Sequence, residues 1–200
     1  MAARGSFFIV ILWNNGSMNT VFLSSNGELK IGVIMRTTSN PIESSSGILT
    51  QYKELSDKAM AQISDEEFFR QPDPESNSIA IIVKHVAGNL LSRWTDFLTT
   101  DGEKTWRNRD GEFEMERPNR AELMQQWEKG WQTLFGAMRS LTPSDLSKIV
   151  PIRNEPHSVL EAINRSLAHI SYHAGQIVYL AKMYKSAEWQ TLTVPKKKRV

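Results

Sequence analysis

The sequence predicts an all-α protein, folded as a four-helix bundle. Three observations carry that expectation. Four long segments beyond Pro41 repeat apolar residues at spacings of three and four. Start signals precede those segments, and nothing after residue 40 reads as a strand. The chain has 200 residues, 40% hydrophobic and 23% charged, which suits one domain with a buried core.

Residues 1–40 form an N-terminal extension with only four charges: Arg4, Glu28, Lys30 and Arg36. Asn26-Gly27 lies between Val21–Leu23 and Leu29–Met35, a hairpin signal. A small hairpin and a poorly ordered extension are both compatible with this segment. The apolar run Phe7–Trp13 is seven residues long, against the roughly 20 that a membrane-spanning helix needs. Arg4 precedes the run as in a signal peptide, but no clear small-x-small cleavage site follows Trp13, so a signal peptide is not expected.

The bundle occupies residues 41–193. Its first helix, Ile42–Ile63, aligns Ile48, Leu49, Tyr52, Leu55, Ala59 and Ile63. The second, Ser78–Thr99, aligns Ile79, Ile82, Val83, Val86, Leu90, Trp94 and Phe97. The third, Asn119–Leu141, opens with Asn119 and Glu122 at capping-box spacing and carries Leu123, Trp127, Trp131, Leu134 and Met138. The fourth, Ser158–Ala187, opens with Ser158 and Glu161 and carries Val159, Ile163, Leu167, Ile170, Ala174, Ile177 and Ala181. Short capped turns begin at Ser64 and at Thr142-Pro143. Each apolar stripe must be buried against the others, which gives the bundle. Trp94, Trp127 and Trp131 read as core.

Composition excludes several functions. With no cysteine, the chain has neither a disulfide framework, a thiolate metal site nor a cysteine nucleophile. The net charge is +2, and the basic tail over 194–200 contributes +4 through Lys196, Lys197, Lys198 and Arg199. The remainder therefore carries −2, so no nucleic-acid partner is expected. The tail matches a nuclear-import pattern, with a solvated terminus as the plainer reading.

Two features point to chemistry. Asp101–Pro118 is an eighteen-residue connection in which ten residues are charged, too long for an ordinary bundle loop. His169 and His173 stand at i and i+4, about 40° apart and about 6 Å along the axis, so one ion can reach both. His85 lies beside the stripe of the second helix, in a polar row with Asn89, Ser92 and Asp96. Buried histidines are often satisfied by backbone carbonyls, so spacing leaves a metal site and a packed core both open. Three neutral imidazoles would leave a tetrahedral ion one open position, the catalytic pattern.

The blocks Asn77-Ser-Ile-Ala-Ile-Ile-Val-Lys-His85-Val-Ala-Gly-Asn89 and Ser92-Arg-Trp-Thr-Asp-Phe-Leu-Thr-Thr-Asp-Gly-Glu103 are followed by Trp106-Arg-Asn-Arg-Asp-Gly-Glu112. Glu155-Pro-His-Ser-Val-Leu-Glu-Ala-Ile-Asn164 and His169-Ile-Ser-Tyr-His173-Ala-Gly-Gln-Ile177 complete the series. On these blocks, residues from about 42 to 193 resemble a bacterial, largely uncharacterised branch of the DinB-like superfamily of metal-binding four-helix proteins. Residues 1–40 lie outside the resemblance.

The resemblance implies an up-down-down-up bundle with Asp101–Pro118 as the crossover, often a homodimer. It implies a metal triad of His85, His169 and His173, with zinc, nickel or iron as the ion. Irving–Williams affinity favours nickel or zinc at imidazoles. It further implies a metal-dependent transferase that joins a low-molecular-weight thiol to an electrophilic small molecule, and a cytoplasmic location is expected because a cysteine-free chain fits a reducing compartment. The alternative is a non-catalytic metal- or ligand-binding stress-response module. Asn89, Asp96 and Gln176 are candidates to orient the ligands, with a solvated face as the alternative for Asp96 and Gln176. Arg107, Arg109 and Asp110 are candidate substrate contacts, or else salt bridges within the loop. His157 lines the pocket mouth or sits in an ordinary capping region.

Overall fold

The computed structural model describes the backbone of residues 7–14 and 17–24, and residues 40–114 and 119–195 with their side chains. The chain divides into two compact units, Met1–Ser44 and Ser45–Val200. In the first, β1 (Phe7–Asn14) and β2 (Ser17–Ser24) pair antiparallel, from Phe7 opposite Ser24 to Asn14 opposite Ser17. The Asn26-Gly27 turn and the Leu29–Met35 arm expected from sequence lie outside the described residues.

The rest is mostly helical, with five α-helices among the described residues: α1 (Pro41–Met60), α2 (Asp65–Phe69), α3 (Ile79–Trp94), α4 (Arg120–Ser140) and α5 (Val159–Lys185). The capping signals act as the sequence suggests. Ser78, Asn119 and Ser158 each accept a backbone N–H three residues on, and Ser158 with Glu161 closes a full capping box. Ser64 and Glu67 do the same for α2.

Helix α3 is the centre of the packing, because twelve of its sixteen residues are buried. Helix α4 lies close against it where Gly130 faces Ala87 and Leu90. A Cβ at Gly130 would come within 3.1 Å of the Ala87 carbonyl oxygen. Trp94, Trp127 and Trp131 are fully buried, as their stripe positions require. Helix α1 is fastened to α4 by polar links. Trp127 Nε1 donates to Asp57 Oδ1 at 2.8 Å, and Lys53 joins Glu128 at 2.7 Å. Arg120 donates to the Met60 and Ile63 carbonyls and lies over the Phe68 ring.

Two expectations need correction. Beyond residue 40 the chain does contain strands: β3 (Ile149–Ile152) pairs with β4 (Glu155–Ser158). Its turn residues Arg153 and Asn154 have φ of 55° and 62°, the double positive φ of a tight hairpin turn. Asp101 holds that turn from afar, accepting from Arg153 N at 2.9 Å and Asn154 N at 2.7 Å. Second, α3 ends at Trp94, not Thr99. Asp96, at φ 48°, turns the chain, and its carbonyl accepts from the N–H groups of Thr99 and Thr100.

Candidate metal centre

The three helical histidines converge. His85 comes from the middle of α3, and His169 and His173 from adjacent turns of α5. His169 Nε2 lies 3.1 Å from His85 Nε2 and 3.1 Å from His173 Nε2. One ligand atom from each residue falls within 4.8 Å of the others. For three nitrogens on one tetrahedral ion, bonds of about 2.05 Å would put neighbours about 3.3 Å apart. The observed spacing is close to that. His85 and His173 are buried, and His169 is half-buried.

The outer ring nitrogens decide how the inner ones present themselves. Glu112 Oε2 accepts from His85 Nδ1 at 2.8 Å, and Gln176 Oε1 accepts from His173 Nδ1 at 2.8 Å. Each acceptor keeps the proton on Nδ1 and leaves the Nε2 lone pair facing the centre. His169 Nδ1 is buried and finds no partner among the described residues. Burial, then the neighbouring His173 and His85 and the charges of Arg93 and Arg107, push His169 down to about 3. Burial likewise takes His173 to about 4, against the raising effect of Gln176. Both rings are therefore neutral near pH 7, the form that ligates. The donor set and its spacing, with two of the three tautomers fixed, fit a divalent ion.

Glu112 is in turn held by the connection from which it comes. Arg107 Nε and Nη2 donate to its two oxygens at 2.8 and 2.9 Å, a two-point clasp. Burial pushes the Glu112 carboxyl up, but the hydrogen bonds from His85 and Arg107 and the Arg107 charge outweigh it and hold it below the usual value. The 3-10 turn Asp110–Phe113 is fixed to α3 by Lys84, which donates to the carbonyls of Gly111 and Glu114 at 2.6 Å each. The Phe113 ring stacks 5.0 Å from that of His85. Gly88 makes the close approach possible, because a Cβ there would collide with the Glu112 carboxylate.

A family model described as "Protein of unknown function (DUF1572)" matches residues 37–198. The chain belongs to that family. No curated protein matches it. Among solved structures, this DUF1572 chain is similar to a crystal structure of the conserved protein of a locus from Enterococcus faecalis. The identity is 18% and the TM-score 0.55, over 70% of this chain and 95% of that one, a likeness of fold alone.

The DUF1572 chain places the remaining candidates unevenly. Gln176 joins the site through His173. Asn89 is half-buried one turn beyond His85 and makes no side-chain hydrogen bond to the histidines. Asp96 is exposed past the end of α3 and serves the turn there, with Trp94 already about 13 Å along the axis from His85. Arg107 does come back to the site, but its side chain is 2% exposed and occupied by Glu112 and Glu103. It is a positioning residue, not a free substrate contact. Arg109 lies over the outer face of Phe113 at 5.5 Å and pairs loosely with Asp110, which is 95% exposed. His157 belongs to β4, where Nδ1 meets the Glu155 carbonyl at 3.0 Å, about 15 Å of helix from His169. Sequence reasoning missed Glu112, though it closes the Trp106–Glu112 block.

Proposed function

We propose that this chain is a DinB-like divalent-metal protein that transfers a small thiol to an electrophilic small molecule. The observation that carries the reading is the convergence of three Nε2 atoms, two of them fixed in tautomer by Glu112 and Gln176. His85, His169 and His173 would hold the ion. Bound there, a divalent metal would supply Lewis acidity and lower the pKa of a thiol, the nucleophile that a cysteine-free chain lacks. The sulfur–carbon bond forms as the leaving group departs with its electron pair, and the thiol proton passes to solvent.

The chain's own residues do the positioning. Arg107 orients Glu112, Glu112 orients His85, and Gln176 orients His173. Phe113 covers one side of the His85 ring. In this reading α1, α3, α4 and α5 are the four helices of an up-down-down-up bundle, with Asp101–Pro118 as its crossover. The protein works as a cytoplasmic homodimer on small molecules. Among the described residues no helix is long and apolar enough to cross a membrane.

Elemental analysis of protein purified without a polyhistidine tag tests the metal. About one zinc, nickel or iron per chain is expected, lost in His169→Ala with the helical signal retained. A screen of thiol–electrophile pairs then tests the reaction. Retention of metal by His169→Ala would overturn the assignment.

A further inference from the structure

Arg93 is the charge that the network around the histidines leaves over. It stands on α3, eight residues beyond His85, and is only 8% exposed. Its Nε has no hydrogen-bond partner among the described residues. The carboxylate that acts on it, Glu103, is already shared by Arg107 at 3.3 Å and Arg153 at 3.1 Å. Burial, then repulsion from Arg165, Arg107 and Arg153, pulls the Arg93 pKa down to about 10, so it stays charged at neutral pH. A buried guanidinium N–H without a hydrogen-bond partner is costly, and chains seldom keep one that nothing uses.

The surroundings hold this side chain deliberately close. Gly102 packs on it so tightly that a Cβ there would lie 2.8 Å from Arg93 Cδ. Gly102 is pinned in turn: its N–H donates to the Pro151 carbonyl at 2.9 Å, and its carbonyl accepts from Ser92 Oγ at 3.0 Å. Arg165 stands on α5 one turn before His169, on the same face and about 6 Å along the axis. It is exposed, and its charge is the strongest of those acting on Arg93. The charge of Arg93 also reaches His169. Arg93, whose Nε is left unpaired among the described residues, and Arg165 therefore stand near the histidines along the seam of α3 and α5.

We propose that Arg93 and Arg165 form an oxyanion subsite beside the histidine triad, which takes the carboxylate or phosphate of the small molecule whose other end reaches the histidines. Guanidinium groups match such oxyanions by shape as well as charge. The subsite stands on Arg93 and its surroundings. Its sharing of one ligand with the histidines rests on the function proposed above. It also moves to Arg93 and Arg165 the substrate contact that the sequence suggested for Arg107 and Arg109.

The test separates the two parts. In metal-free protein held in chelator, millimolar inorganic phosphate should raise the melting temperature saturably, beyond sodium chloride of equal ionic strength. Arg93→Met should melt at the wild-type temperature or above without phosphate, and bind phosphate at least about tenfold more weakly. Arg165→Met, an exposed change that leaves the core intact, should weaken phosphate in the same direction. An equal phosphate response in wild type and both variants overturns the subsite. On cobalt(II)-loaded protein, mercaptopropionate should bind about tenfold more tightly than mercaptoethanol, read from thiolate-to-cobalt absorption, and Arg93→Met should erase that preference. Equal binding of the two thiols overturns the shared ligand. Failure of cobalt to load overturns the metal reading, while the phosphate result still upholds or overturns the subsite.

Discussion

Glu112 carries more of the site than its place in a charged loop suggests. One carboxylate accepts from His85 Nδ1 and from two nitrogens of Arg107. Partners of this kind fix ring orientation and raise the basicity of the ligating nitrogen. Glu112→Gln should therefore lower metal affinity about ten- to a hundredfold, measured by competition with a chromophoric chelator, while the helical signal stays. Unchanged affinity would reduce Glu112 to a loop anchor. The histidines were legible because i and i+4 on a helix fix their own geometry. Glu112 was not, since it is 27 residues from His85 and one of ten charges in a segment whose direction no local rule sets.

At the scale of elements, the connection after α3 is tied down at both ends. Near its start, Asp101 accepts from the N–H groups of Glu103, Arg153 and Asn154, at 2.6, 2.9 and 2.7 Å. Burial alone would raise its carboxyl, but these three backbone donors hold it below the usual 3.8. A carboxyl whose folded value lies below its unfolded one stabilises above the unfolded value and stops doing so as pH falls through the folded one. Asp101→Asn should thus cost about 1–3 kcal/mol at pH 7, and its melting temperature should fall less than the wild type's between pH 5 and 3, to be checked by calorimetry. Toward the other end, Gly88 leaves room for Glu112. Gly88→Ala should raise helix propensity by about 1 kcal/mol yet displace the carboxylate from His85. The expected result is undiminished thermal stability with weakened metal binding, and loss of both together would mean that the helix itself had shifted. Stripes and caps made the helices readable within a few residues, save the end of α3, which stops five residues before the expected Thr99. The β3–β4 hairpin was hidden because its turn is held by Asp101, 52 residues earlier, and not by an Asn-Gly of its own.

At the scale of the molecule, the helical stripes and their caps all lie beyond residue 40, and Ser45–Val200 is a compact unit by itself. A chain beginning at Thr38 should keep its helical signal and melt in one cooperative transition, followed by circular dichroism. Loss of that transition would show that the first residues supply core. The convergence of the histidines has a further meaning for such a chain. His85 and His169 are 84 residues apart, and there is no disulfide to join distant segments. An ion shared between them would act as a reversible cross-link across that span. By the chain-entropy estimate for a bridge of this length, it would deprive the unfolded ensemble of freedom worth about 4–5 kcal/mol. Such a staple would make metal supply in the cell a control on how much of the protein survives unfolding, whatever reaction it performs.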